Sequence, residues 1–237
     1  MSLLSLVIAA CRSPGINLDA PNAVATSSNE TVLRLMEIAN EEGKDLAQRG
    51  SWQALQNQAN FTTVAASSQG LLSTIAPYCN YIINDTIWDT TQRRPLFGPL
   101  TPQQYQQQVS MYMTGPWYQY RVRQGEILFV PEPDAGDLCQ FEYITSAWCT
   151  DATGVTPKVA YSADSDVSLL NEDIMKLGIV WRWKQGNGLD YAEDFAKYER
   201  QVANALGRDA SKPILNMGNY QYDIIPGIWV SSGSWNV

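Results

Sequence analysis

A chain of 237 residues, 45% hydrophobic and only 17% charged, carries enough apolar material for a packed core and falls outside the disordered class. Its net charge of -8, with Arg93-Arg94 the one adjacent basic pair, argues against a surface built to neutralise phosphates. The absence of histidine removes Ser-His and Cys-His nucleophiles and the commonest zinc ligand together.

The N-terminal run MSLLSLVIAAC ends in Ile8-Ala9-Ala10-Cys11, which has the form of a bacterial lipoprotein cleavage box. No Lys or Arg leads it, and Leu3, Val7 and Ala10 share a helical face, so a short amphipathic helix is expected. Ser13-Pro14-Gly15 breaks that helix. A long helix follows, with Ser27 and Glu30 as a capping box and Val32, Leu35, Ala39 and Leu46 on one face. Gly43 in its middle points to close approach by a neighbour. The helix is expected to end near Arg49-Gly50, with a further turn over 51–58.

Strands are predicted from Phe61 to Val64, and on either side of the Asn84-Asp85 turn signal at 81–83 and 86–88. Thr101-Pro102 opens a short helix running to Met113. The clearest hairpin joins 117–123 to 126–130 through Gln124-Gly125, and Pro131 and Pro133 end it. A strand over 138–148 alternates around Phe141 and Tyr143.

Two helical patterns then meet at Gly186-Asn187-Gly188. Asn171 caps the first, whose stripe is Ile174, Leu177 and Trp181; Lys184 suits the dipole of its last turn. The second restarts at Asp190 with Tyr191, Phe195, Tyr198, Val202 and Leu206 as its stripe. Trp181 and Phe195 are expected to face each other in an antiparallel hairpin, with the long helix near Val32 as its partner. With strands gathered in the middle and helices at both ends, the expected class is α+β. Residues 1–58 and 164–208 would form a helical bundle, and residues 59–163 a β-rich insertion.

Residues 209–237 differ from the rest. Tyr220, Tyr222, Ile224, Ile225, Trp229 and Trp235 occur there without helical period among Gly, Ser and Asn. They are expected to form an extended, partner-binding C-terminal arm, since aromatic enrichment marks interfaces.

No catalytic constellation emerges. Glu172-Asp173 and Glu193-Asp194 sit in first helical turns, where the dipole accounts for them. Asp134, Asp137 and Glu142 beside aromatic residues leave a glycosidase-like pair conceivable, but solvated carboxylates are the expectation. Asp164-Ser165-Asp166 lacks the spacing of a calcium loop, and no phosphate-cradling glycine motif is present. The four cysteines, Cys11, Cys79, Cys139 and Cys149, contain no CxxC and are expected as free, buried thiols. Neither a metal, a cofactor nor catalysis is expected. No run reaches the ~18 apolar residues of a membrane span.

Several blocks together resemble the head-to-tail adaptor proteins of tailed bacteriophages. They are Trp52-Gln53-Ala54-Leu55, Phe61-Thr62-Thr63, the run from Ile82 to Trp88, Arg93-Arg94-Pro95, Gly98-Pro99-Leu100, Trp181-Arg182-Trp183-Lys184 and Gly188-Leu189-Asp190-Tyr191. The resemblance covers about Leu3 to Leu215 and leaves the arm unmatched. It implies a structural virion protein of the tail or neck region, made in the host bacterial cytoplasm. Such proteins form a homo-oligomeric ring of twelve beneath the portal, join it to the tail nozzle or another tail protein, and let genomic DNA pass without specific binding. The rival readings are a surface module that binds or hydrolyses carbohydrate, motivated by eight Trp and twelve Tyr beside carboxylates, and a lipoprotein anchored through Cys11.

Overall fold

The computed structural model describes residues 1–16, 18–111 and 117–209, which form a mixed helix-and-sheet fold of the α+β class. In chain order it contains α1 (Leu3–Cys11), α2 (Glu30–Gln48), β1 (Gln56–Thr62), β2 (Ser68–Leu71), α3 (Leu72–Ile75), β3 (Cys79–Ile82), β4 (Trp88–Asp89) and β5 (Arg94–Pro95). Then follow α4 (Pro102–Ser110), β6 (Gln119–Arg123), β7 (Glu126–Val130), β8 (Leu138–Thr145), β9 (Cys149–Thr150), β10 (Pro157–Lys158), β11 (Val167–Ser168), α5 (Glu172–Gly186) and α6 (Ala192–Asp209).

The helix ends follow local chemistry. Asn171 Oδ1 accepts from the amides of Asp173 and Ile174, and Thr101 and Gln104 close a reciprocal capping box. The cap of α2 is Asn29, whose side chain accepts from Thr31 N, rather than the expected Ser27, whose hydroxyl accepts from Asn29 N instead. Helix α5 packs between α2 and α6 and also meets α1. Ile174, Met175, Ile179, Val180, Trp181 and Trp183 are all buried, so α5 is covered on more than the single stripe expected. On α6, Tyr198 and Val202 are buried, but Phe195 remains 38% exposed and Tyr191 is exposed as well. The Phe195 ring still meets Trp181 edge-on, centroids 5.1 Å apart. Gly43 touches the ring of Trp148, and a Cβ built there would lie 2.5 Å from it.

Among the described residues, the strands form three sheets. The largest runs β1-β8-β4-β5, with β3 also paired to β8. β3 and β4 therefore do not form a hairpin across Asn84-Asp85; both lie along β8, Ile82 opposite Tyr143 and Trp88 opposite Gln140. β1 begins at Gln56, well before the expected Phe61, because its whole length pairs with β8. The hairpin β6-β7 turns through Gln124 (φ 53) and Gly125 (φ 77), two left-handed residues that match the twist of paired strands. Strand β2 adds to β7, and short β9 lies between β10 and β11.

Two main apolar clusters result. One combines Leu6, Leu35, Trp181 and Tyr198 from the helices with Trp148 and Tyr161. The other lies beneath the large sheet, around Tyr120, Phe129, Phe141 and Tyr143. Cys11 lies in the first cluster, and all four cysteines are free thiols.

Candidate functional site

Alternation along β8 sends Cys139, Phe141 and Tyr143 into the core and leaves Gln140 and Glu142 on the outer face. Register then decides their neighbours. Gln58 of β1 stands opposite Glu142, while Gln140 has Asn60 on one side and Trp88 on the other. The Gln58 amide donates to Gln140 Oε1 at 3.2 Å. Asp85 (φ 62) and Arg93 (φ 58), both left-handed, turn the chain at either end of β4. The hydroxyl of Thr86 bridges the break between β3 and β4, donating to Ile83 O at 2.6 Å and accepting from Glu142 N at 3.2 Å.

These segments enclose an open groove of about 560 Å³. Trp88, Gln58, Gln140, Glu142 and Asp85 supply its aromatic and polar walls, and Asp89, next to Trp88, turns its side chain to the core side of β4. Trp88 is 39% exposed. Asp89 is buried; its Oδ1 accepts from Gln92 N at 2.9 Å, and its Oδ2 has no hydrogen-bond partner. A buried acceptor left without a donor is uncommon and costs stability.

A second polar cluster lies among the helices. Glu42 of α2 is fully buried and accepts from Arg182 Nε at 2.7 Å and Tyr198 Oη at 2.5 Å. Arg182 also donates to Asp45 at 2.7 Å and Glu41 at 3.1 Å. Gly178 makes room for the carboxylate: a Cβ there would sit 2.1 Å from Glu42 Cδ. Burial pushes the Glu42 carboxyl above its ordinary range, against the pull of its two donors; burial and the facing carboxylate push Tyr198 up strongly. The cluster joins three helices with its donors committed, so its chemistry is that of a structural tie.

A smaller groove, about 350 Å³, lies where Trp52, Leu169, Ile174 and Ala205 meet beside the end of α6. Asp209, the last described residue, lies on its rim and accepts from Gln53 N at 2.7 Å. Tyr220, Tyr222, Ile224, Ile225, Trp229 and Trp235 lie outside the described residues.

The carboxylates singled out in the sequence are dispersed. Glu142 lines the outer groove, but Asp134 and Asp137 do not; they frame Thr63, whose hydroxyl donates to Asp134 O at 2.6 Å and accepts from Asp137 N at 3.0 Å. Asp164 and Asp166 act as clasps: Asp164 Oδ1 holds the amides of Val24 and Ala25, and Asp166 holds Lys158 and the amides of Ser162 and Ala163. Among the described residues, no group of three or more His, Cys, Asp or Glu could hold a metal.

No protein-family model matches the chain, and no curated protein is significantly similar to it. Among the described residues, no helix is long and apolar enough to cross a membrane. Of the outer groove only Glu142 stood out in the sequence, because the other members, Gln58, Gln140, Trp88 and Asp85, come from three separate strands and a turn. The available signal was the alternation in Gln56–Thr62 and Leu138–Tyr143, which places amides and a carboxylate on one side.

Proposed function

We propose that this chain is a structural head-to-tail adaptor of a tailed bacteriophage, a ring-forming virion protein that joins portal to tail without catalysing a reaction. In this reading residues 1–58 and 164–208 are a helical bundle, residues 59–163 an insertion, and residues 209–237 an assembly arm. The observation that carries it is the division of the core. Leu6 and Leu35 from one end of the chain and Trp181 and Tyr198 from the other share one apolar cluster, to which the insertion adds Trp148 and Tyr161 at the junction, while Phe129 and Phe141 from the middle belong to another. Two of the resembling blocks fall at joints of this arrangement. Trp52 fills the turn after α2, donating from Nε1 to Leu46 O at 2.7 Å, and Arg182 ties α5 to α2. The acidic balance suits a channel through which DNA slides.

The test is assembly. Native mass measurement and electron microscopy of the full chain, alone and with the portal of the same virus, should reveal a closed ring seated on the portal. A chain truncated after Lys212 should melt at nearly the same temperature and fail to co-sediment with portal. A strict monomer that ignores portal overturns the reading.

A further inference from the structure

We propose that the outer face of the five-stranded sheet is a saccharide-binding groove, in which Trp88 stacks against a pyranose ring and Gln58, Gln140, Glu142 and Asp85 bind its hydroxyls. The proposal does not rest on the ring-forming reading.

The volume of about 560 Å³ lies within the ~300–1,000 Å³ common for small-molecule sites. The lining decides the ligand class. Two carboxylates, Asp85 and Glu142, with Asp89 buried behind them, against Arg93 alone disfavour phosphates and other anions. An extended peptide gains most of its affinity from unpaired strand edges, whereas this groove is the face of strands already paired through β8. An apolar ligand would bury amides and carboxylates without partners. A neutral sugar meets every group present. Its C–H face lies on the exposed indole, as amphipathic rings do. Its hydroxyls, both donors and acceptors, suit the Gln58 and Gln140 amides and the carboxylates of Glu142 and Asp85.

The geometry adds two observations. The Gln58 amide is held by Gln140 Oε1, and Gln140 itself stands directly beside Trp88 in the strand register, so the polar and stacking elements are fixed relative to each other by the ladder. Glu142, exposed, stands directly opposite Gln58 across β1 and β8, so a carboxylate is fixed beside the amides by the same ladder.

The full chain, fluorescently labelled, is applied to an array of neutral hexose and N-acetylhexosamine oligosaccharides, and hits are titrated up to about 1 mM, the weak end of specific binding. Binding to at least one oligosaccharide series is expected. Trp88→Ala and Gln140→Ala should each weaken it about tenfold or more, whereas Trp88→Phe should keep a measurable part of it. Thermal unfolding of each variant distinguishes loss of the groove from loss of the fold, and Gln140→Ala keeps the test valid if Trp88→Ala fails to fold. No binding anywhere on the array, or binding that survives both Trp88→Ala and Gln140→Ala, overturns the proposal. Portal co-sedimentation, measured in parallel, reports on the adaptor reading separately.

Discussion

Tyr198 Oη donates to Glu42 Oε1 at 2.5 Å, binding α6 to α2 through a carboxylate with no solvent exposure. Arg182 Nε satisfies the other oxygen from α5. Removing Glu42 leaves the buried Tyr198 hydroxyl without its acceptor and Arg182 with only its more exposed partners, Asp45 and Glu41, which is worse than never having built the cluster. Glu42→Ala should cost ~3–5 kcal/mol, because Arg182 loses its most buried partner. Tyr198→Phe removes one donor only and should cost ~1–3 kcal/mol. Chemical unfolding curves measure both. Equal, small losses would mean that the cluster contributes little.

The pH dependence has two arms of opposite sign. Burial alone would raise Asp166, but Lys158 and the Ser162 and Ala163 amides outweigh it and hold the carboxyl below its usual range. Its contribution is complete above the ordinary aspartate value of ~3.9 and is lost as pH falls. Burial leaves Glu42 raised, so the folded state favours its proton. That contribution is complete at acid pH and declines as pH rises above the ordinary glutamate value of ~4.3. Urea unfolding between about pH 3 and 7 should show Asp166→Asn flattening the acid limb and Glu42→Gln flattening the decline above it. Variants whose curves parallel the wild type would show that neither carboxyl is linked to folding.

At Gly43, two effects compete. Alanine is the better helix former by ~1 kcal/mol. Yet its Cβ would press on Trp148, which is fully buried, donates from Nε1 to Val159 O at 2.9 Å and meets Tyr161 edge-on at 4.7 Å. A ring so held cannot yield, and overpacking of this kind costs ~1–3 kcal/mol. Gly43→Ala should therefore destabilise on balance. A raised melting temperature would show that the indole shifts freely.

Trp181 and Phe195 touch but do not carry equal weight. Trp181→Ala removes a buried ring and should cost ~3–5 kcal/mol, whereas Phe195→Ala should cost ~1 kcal/mol because much of its surface already faces solvent. Denaturant midpoints for the two variants give the comparison. Equal losses would place Phe195 in a buried setting that a second subunit or the arm provides.

The cysteines should resist modification. Burial pushes Cys139 and Cys149 up to about 12 and Cys79 up to about 11, and Cys11 is raised as well. At about pH 8, an aromatic disulfide reagent should react slowly and first at half-buried Cys79, with all four thiols titrating after denaturation. Rapid labelling of Cys139 in the native chain would contradict the packing beneath the large sheet.

What the sequence made legible was mostly local. Asn171 and Thr101 announce helix starts because a cap needs only its own first turn, and Gln124-Gly125 announces a hairpin because the turn's dihedrals are its own. β1 was legible only in part: Gln56, Asn57 and Gln58 have weak strand preference and become a strand by pairing with β8, some eighty residues away. Phe195 shares the spacing of Tyr198 and Val202, and spacing cannot tell where along α6 the covering helix stops. The outer groove needed the register of three strands at once. The six C-terminal residues expected to bind a partner lie outside the described residues, so their part in the reading rests on composition.

β8 serves as both floor and façade. Cys139, Phe141 and Tyr143 face the buried cluster, while Gln140 and Glu142, interleaved with them, face the groove. Substitutions on the outer set change what the surface offers without altering core volume, and substitutions on the inner set do the reverse. The two sets can drift at different rates within one short stretch of chain. The strand also enforces their separation: sliding it by one residue against β1 would expose Phe141 and bury Glu142, exchanging both roles at once. Selection on the surface chemistry of this face therefore has a free hand at alternate positions and almost none in between.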